Sequence, residues 1–148
     1  MAQRQYMRKT RTGSARFEDV YRAVSEYRTK YPDKAVIYSA QKYAELGWAS
    51  LMAGGSCANI PVTDSRFLKS LTSMKPRETV DAYLLEGPDG WVVCAKQGAT
   101  NVFLDLGKKK YTLYQIDQKS GAIRRLSTLK GSAVINDSGI YWITTMKR

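Results

Sequence analysis

The sequence contains no histidine, and this absence removes several kinds of active site. Ser-His-Asp and Cys-His catalysis, histidine metal centres and proton transfer near neutral pH all depend on an imidazole. Cysteine is scarce as well, since the chain has only Cys57 and Cys94. Both residues have small or apolar neighbours in the sequence. This pattern favours reduced core cysteines over a disulfide framework. We therefore predict no cofactor and no metal ion.

Long apolar runs are also missing. No run approaches the ~18 residues that a membrane-spanning helix needs, so we predict no membrane association. The first 16 residues are polar and basic, and no apolar stretch follows their charges, so they do not form a secretory signal. As written, the sequence predicts a cytoplasmic protein, or an extracytoplasmic one if a leader is missing.

Positive charge is what the chain has in excess, with 24 Lys and Arg against 13 Asp and Glu and a net charge of +11. Most of the excess is spread along the chain, which is typical of a solvated surface. Two short stretches are denser, and such stretches are candidates for binding nucleic acid. Their residues are Arg4, Arg8, Lys9, Arg11 and Arg16 in the first stretch and Lys108, Lys109 and Lys110 in the second.

Apolar spacing predicts a helical segment over residues 14–76, behind a disordered basic arm at 1–13. Helices are expected at 15–31, 40–53 and 65–74, with Ser14 and Asp64 or Thr63 as N-caps and Gly54 at the end of the second helix. The β-branched run at 35–38 predicts a short buried strand.

After residue 76 the apolar period changes from 3.6 to 2, which predicts an antiparallel β-sandwich domain over 77–148. Hairpin turns are expected at 87–90, 97–100 and 117–121. The predicted fold class is α+β, with N-terminal helices packed on a small antiparallel β-sandwich. The expected strands are 80–86, 91–96, 101–106, 111–116, 122–128 and 140–146, with a short one at 133–135.

Carboxylates and aromatic rings are the remaining candidates for chemistry. Glycoside hydrolysis needs two acids facing each other, whereas most acids here lie in turns or beside bases, so no catalytic residue is predicted. Aromatic rings on a sheet stack on sugars when exposed and build the core when buried. The candidate glycan contacts are Tyr83, Trp91, Tyr114 and Trp142.

Two parts of the chain resemble a known family. Residues 31–39 and 47–56 look like the last strand and helix of a glycosidase-type TIM barrel. Residues 81–85, 91–95, 102–106 and 111–121, with a hairpin from Tyr114 through Asp117 to Gly121, resemble the C-terminal β-sandwich of bacterial glycoside hydrolases of the apiosidase-like and collagen-binding-tail type. In such enzymes the catalytic carboxylates lie on earlier barrel strands, which this sequence lacks, so none is carried over.

Three functions follow as hypotheses. The first is a non-catalytic accessory or remnant domain of a glycoside hydrolase-like protein, which braces a barrel or contacts glycan. The second is a nucleic-acid-binding module that uses the basic N-terminal arm. The third is a structural protein that docks on another chain, with self-association through an exposed strand edge at 35–38.

Overall fold

The computed structural model describes residues 16–38, 44–56 and 58–145. The chain divides into two compact units, and the boundary between them in the sequence lies between Asn59 and Ile60. The predicted boundary at 76/77 differs from this division, because the contacts group the third helix with the strands. The predicted basic arm at 1–13 lies outside the described residues.

Two helices form the described part of the first unit, α1 (Phe17–Lys30) and α2 (Ala44–Met52). Helix α1 begins after Arg16, whose backbone N–H donates to Asp19 Oδ2 at 3.1 Å, and it ends before Pro32. Val20, Tyr21 and Val24 of its apolar stripe are buried, as the helical spacing predicted, whereas Tyr31 at its end is exposed. Helix α1 packs against α2. The Arg28 guanidinium joins this packing by donating to the Ala53 carbonyl at 3.2 Å.

The strand predicted at 35–38 is wrong. These residues form an irregular segment, and the Ile37 side chain is 52% exposed. One backbone bond ties the segment down, from the Ser56 N–H to the Val36 carbonyl at 2.7 Å. A strand needs a neighbouring strand, and the first unit has none among its described residues, so β-branched composition alone does not produce one. Helix α2 ends at Met52, and Gly54 follows it with a φ of 80°, the left-handed glycine predicted at this end.

Helix α3 (Ser65–Leu71) opens the second unit. Asp64 caps it, as predicted, because its Oδ1 accepts from the N–H groups of Arg66 and Phe67 at 2.9 and 3.2 Å. The Arg66 guanidinium bonds the same carboxylate at 3.0 Å and holds the pKa of Asp64 below its ordinary value. None of the helices in the described residues has the length and apolar character needed to cross a bilayer.

The second unit contains one six-stranded antiparallel sheet, which confirms the predicted α+β class. The described strands form this single sheet, whereas the predicted sandwich would have two sheets. The strand order is β1-β2-β3-β6-β4-β5. Strand β1 was not predicted, since Pro76 indicated only the end of a helix. The strands are β1 (Lys75–Glu78), β2 (Ala82–Gly87), β3 (Gly90–Ala95), β4 (Val102–Ile116), β5 (Ile123–Ile135) and β6 (Ile140–Thr144).

The last strand in the sequence lies in the middle of the sheet. All five residues of β6 are buried, because β3 and β4 pair with its two edges and both of its faces are covered. The turns at 87–90 and 117–121 join neighbouring strands as predicted. The hairpin predicted at 97–100 is wrong, since β6 separates β3 from β4.

Strands β4 and β5 form a long bent ribbon that merges strands predicted as separate. The register slips around the Gly107–Gly131 pair, where both glycines have positive φ angles of 64° and 84°. Residues 112–116 of β4 pair with β6. The half of the ribbon beyond the glycine pair packs on a buried apolar core that it shares with the rest of the sheet. That core is a buried cluster of Ala82, Leu84, Val93, Val102, Leu106, Tyr111, Ala133, Ile135, Tyr141 and Ile143.

Helix α3 contributes to the opposite face of the sheet. The Phe67 ring is fully buried and meets the Trp142 indole edge-on, with ring centroids 5.3 Å apart. Trp142 also stacks on Tyr114 at 5.1 Å. Successive side chains of β2 and β6 point to opposite faces of the sheet, and both faces are covered. This explains why these two strands are continuous apolar runs in the sequence.

Candidate functional site

Three of the four predicted glycan-contact rings lie inside the protein. Trp142 and Tyr114 are 1% and 3% exposed and pack with Phe67, as described above. Tyr83 is buried too, and the Lys96 ammonium lies 4.9 Å from its ring centroid. A sugar could stack on these rings only after the core had opened, so they are structural residues here.

Trp91 is the fourth predicted ring and is partly buried. It packs against the core cluster, with its ring centroid 5.2 Å from that of Tyr111. All four rings lie on strands, as predicted, but a position on a strand does not reveal whether a second layer covers that face of the sheet.

The carboxylates near the sheet have structural partners rather than one another. Glu86 pairs with Arg77 at 3.3 Å and Glu78 with Lys96 at 2.6 Å, while Asp105 accepts from the Gly107 N–H at 2.9 Å. Asp117 accepts from the N–H groups of Ser120 and Lys119 and from the Ser120 hydroxyl. These bonds, chiefly those from Ser120, lower the pKa of the Asp117 carboxyl.

The Cys94 thiol and the Tyr141 phenol are poor nucleophiles. Burial raises the pKa of the Cys94 thiol to about 12, so this thiol stays protonated at neutral pH. Cys57 lies outside the described residues. Burial, together with hydrogen bonding to Asp137, raises the pKa of Tyr141 to about 12. Within the described residues no group of three His, Cys, Asp or Glu side chains could hold a metal ion.

Of the predicted basic arm, Arg4, Arg8, Lys9 and Arg11 lie outside the described residues. Arg16 is exposed before α1, and its Nε lies 3.5 Å from Asp19. Binding of nucleic acid by this arm stays a prediction.

The second predicted basic stretch belongs to a larger surface, which we term the basic ribbon surface. Its lysines lie at or near the bend of the β4–β5 ribbon and its two arginines lie nearer the 117–121 turn, and all of its side chains are exposed. Lys110 lies directly opposite Lys130 in the register, while Arg124 and Arg125 lie opposite Gln115 and Tyr114. The members are Lys108, Lys109, Lys110, Arg124, Arg125 and Lys130.

Among the described residues, no carboxylate forms an ion pair with a cation of the basic ribbon surface. The ion pairs there involve other lysines and arginines. Its arginines contact neutral groups instead: Arg124 Nη2 donates to Gln115 Oε1 at 2.8 Å and Arg125 Nη2 to Thr128 Oγ1 at 3.2 Å. Like charges directly opposite in a sheet are destabilising. An anion bound here would relieve this repulsion.

Sequence reasoning found Lys108, Lys109 and Lys110 but missed the other half of this surface. Arg124, Arg125 and Lys130 are not a dense run, so composition alone could not identify them. The signal was the hairpin predicted at 117–121, which places the two following strands side by side. Pairing 111–116 with 122–128 would have brought Arg124 and Arg125 next to Tyr114 and Gln115.

Comparison with curated proteins found no match to this sequence. Residues 1–74, half of the chain, match the family model described as Domain of unknown function (DUF6298). The match includes α1, α2 and α3 and ends just before β1 begins at Lys75. On the strength of this match, the chain belongs to the DUF6298 family.

Proposed function

We propose that the chain is a non-catalytic accessory module of a glycoside hydrolase-like protein. In this role the β-rich unit would brace a larger assembly or contact glycan, while cleavage of the glycan would take place elsewhere. The proposal joins the resemblance of residues 81–121 to the tail domains of such enzymes with the chemistry of the described side chains.

The observation that carries the proposal is the hairpin at 117–121. The resemblance rests on a tyrosine-to-glycine hairpin, and these residues form it: Asp117 binds the turn and Gly121 has a φ of 74°. The turn packs closely on the loop before α3, since a Cβ atom on Gly121 would lie 2.4 Å from the Pro61 carbonyl oxygen. The residues behind the resemblance therefore build a specific structural feature.

The non-catalytic part of the proposal rests on the acids. The carboxylates of Asp64, Asp105 and Asp117 cap backbone groups, and Glu78 and Glu86 pair with cations. A general acid needs a raised pKa, whereas hydrogen bonds lower the pKa of both Asp64 and Asp117.

An activity assay tests this directly. The purified full-length chain is incubated with a panel of aryl glycosides beside a mock purification from cells that lack the gene. We expect no turnover above the mock level. Turnover that one substitution, Glu86→Gln or Asp105→Asn, abolishes would refute the non-catalytic assignment, because it would locate the reaction in this chain.

The genomic sequence upstream of the first codon tests the other half of the proposal. We expect a reading frame, fused or adjacent, that encodes the strands and helices of a glycosidase barrel. An upstream region without such a frame would count against the accessory role.

A further inference from the structure

An exposed apolar pair lies on the far half of the β4–β5 ribbon. Phe103 is 72% exposed and Val134 is 46% exposed, and the two are direct partners in the register. The other rings of the ribbon, Tyr111 and Tyr114, are buried. Phe103 is thus the ring of this ribbon that a ligand can reach.

Phe103 shares a face with Lys110 and Lys130 of the basic ribbon surface. Side chains alternate along a strand, and Val102 and Leu106 point into the core, so Phe103 points away from it. After the bend Tyr111 and the partly buried Leu129 point into the same core, so Lys110 and Lys130 point outward. The outer face of the ribbon therefore carries an aromatic ring at one end and cations at the bend.

The spacing suits a polymer rather than a small anion. Phe103 and Lys110 are seven positions apart on β4, which at ~3.3 Å per residue is at most about 23 Å along the strand. One small anion cannot meet both groups. A chain of linked rings that carries negative charges can contact the lysines and the phenyl ring together.

We propose that the outer face of the β4–β5 ribbon binds an anionic polysaccharide. Lysines 108, 109, 110 and 130 attract its carboxylate or sulfate groups, and the Phe103 ring packs on the apolar face of a sugar ring. This inference rests on the proposed carbohydrate-associated function and names the class of glycan. It also replaces the buried rings with an exposed one as the glycan contact.

The test measures binding of the full chain by surface plasmon resonance at fixed salt. Four immobilised polymers separate the sources of affinity: polygalacturonate has carboxylates on sugars, chondroitin sulfate adds sulfates, dextran is neutral, and polyglutamate has carboxylates without sugars. We expect binding to one or both acidic glycans, weaker binding to polyglutamate and none to dextran. The preference between the two acidic glycans identifies the anionic group.

Two variants assign the affinity to the ribbon. The triple variant Lys108→Gln, Lys109→Gln, Lys110→Gln should weaken binding to the acidic glycan about tenfold or more. Its matched control, Lys34→Gln, Lys69→Gln, Lys75→Gln, removes the same charge from exposed positions off the ribbon and should change binding little. Equal losses in the two triple variants would overturn the proposal, because net charge alone would then explain binding.

Phe103 separates sugar recognition from simple charge attraction. Phe103→Leu, which keeps an apolar side chain, should weaken binding to the acidic glycan about threefold to tenfold and leave binding to polyglutamate unchanged. Phe103→Trp should restore the affinity. Equal effects of Phe103→Leu on both polymers, or no effect on either, would contradict the role of the ring.

The outcomes also distinguish this inference from the proposed function. Tighter binding to duplex DNA than to either acidic glycan would overturn the inference and support the nucleic-acid alternative. If no acidic glycan binds while the aryl-glycoside assay stays negative and the upstream frame is present, the ribbon inference fails and the accessory function stands.

Discussion

Phe67 shows how one side chain connects the family-matched segment to the sheet. The residue lies within the matched residues 1–74, whereas its partner Trp142 lies in β6, far outside them. Asp64 fixes the start of the short helix, and this orients the Phe67 ring toward the sheet. The sequence predicted the cap and placed Phe67, Leu68 and Leu71 inward; Phe67 is buried as predicted, whereas Leu68 is exposed. Nothing in the sequence identified Trp142 as the contact.

Phe67→Ala should destabilise the protein strongly. The substitution removes a fully buried ring and leaves a cavity beside Trp142, so we expect a loss of roughly 3–5 kcal/mol in the free energy of unfolding. Urea titration followed by tryptophan fluorescence measures this loss. Leu68→Ala in the same helix is the control, since Leu68 is exposed and should cost less than about 1 kcal/mol. Similar losses in the two variants would show that Phe67 is not a core contact.

Tyr141 predicts how stability depends on alkaline pH. The pKa of this phenol is raised to about 12 in the folded protein, whereas an unfolded tyrosine has its ordinary value near 10. Above pH ~10 this phenol binds more protons in the folded state than in the unfolded state, so its contribution to stability is full below that pH and is lost as the pH rises toward 12. At pH 11 the expected loss from this group is roughly 1 kcal/mol.

The measurement compares urea midpoints of the wild type and Tyr141→Phe at pH 8 and pH 11. The variant loses the hydrogen bond to Asp137 and should be less stable at pH 8. It should then lose less between the two pH values than the wild type does. Cys94 contributes to the alkaline fall in both proteins, so the difference between them isolates Tyr141. Parallel falls would contradict the assignment.

Among the elements, the bent β4–β5 ribbon departs furthest from what the sequence predicted. The segments 101–106 and 111–116 were predicted as two strands, because Gly107 and three lysines interrupt the apolar alternation. In the structure β4 continues through this point with shifts in register. An interruption of alternation marks a bulge and a turn equally well, and only the pairing with β5 decides between them.

Helices were predicted more reliably than strand pairing, for a physical reason. The contacts that define α1 lie within one turn of the sequence, so Pro32 and the apolar spacing suffice to place it. The insertion of β6 between β3 and β4 depends on residues about 50 positions apart in sequence, from 46 for the Cys94–Ile140 pair to 54 for the Gly90–Thr144 pair. Local patterns contain no information about that choice, which is why the predicted hairpin at 97–100 failed.

The bend of the ribbon should depend on Gly107. This residue has a φ of 64°, and a Cβ atom there would meet nothing within 4 Å, so the cost of a side chain lies in the backbone alone. Gly107→Ala should lower the free energy of unfolding by about 1–2 kcal/mol. Gly107→Asn should cost less, because asparagine tolerates the left-handed region better. Equal costs, measured by urea titration, would point to a steric cause instead.

On the scale of the whole molecule, the clustering of basic residues and the boundary between the two units can be recognised only in the folded chain. Ten of the bases fall within 80–148, and six of them lie on the two paired strands of the β4–β5 ribbon. Counting along the chain spreads these charges, whereas strand pairing gathers them. Folding removes the predicted glycan-contact rings from the surface instead of gathering them there. Both faces of the sheet are covered, so residues that alternation alone would leave exposed are buried.

The division between Asn59 and Ile60 also predicts which fragment folds alone. A fragment of residues 60–148 keeps α3, β1 and the Phe67–Trp142 contact, so it should unfold cooperatively and show dispersed amide signals by NMR. A fragment of residues 77–148, cut at the boundary that the sequence predicted, lacks α3 and the Phe67–Trp142 contact and keeps only Arg77 and Glu78 of β1. Its Trp142 face loses the Phe67 ring and its β2 edge loses the first half of β1, so we expect it to be less stable by at least about 3 kcal/mol or to aggregate.

The two fragments differ only in residues 60–76, so the comparison isolates what those residues contribute to the sheet. Phe67→Ala in the longer fragment provides the intermediate case, because it removes the ring while β1 still covers the β2 edge. Its stability should fall between those of the two fragments. If 77–148 proves as stable as 60–148, then α3 and the first half of β1 are dispensable, and the domain boundary lies where the change from helical to strand periodicity placed it.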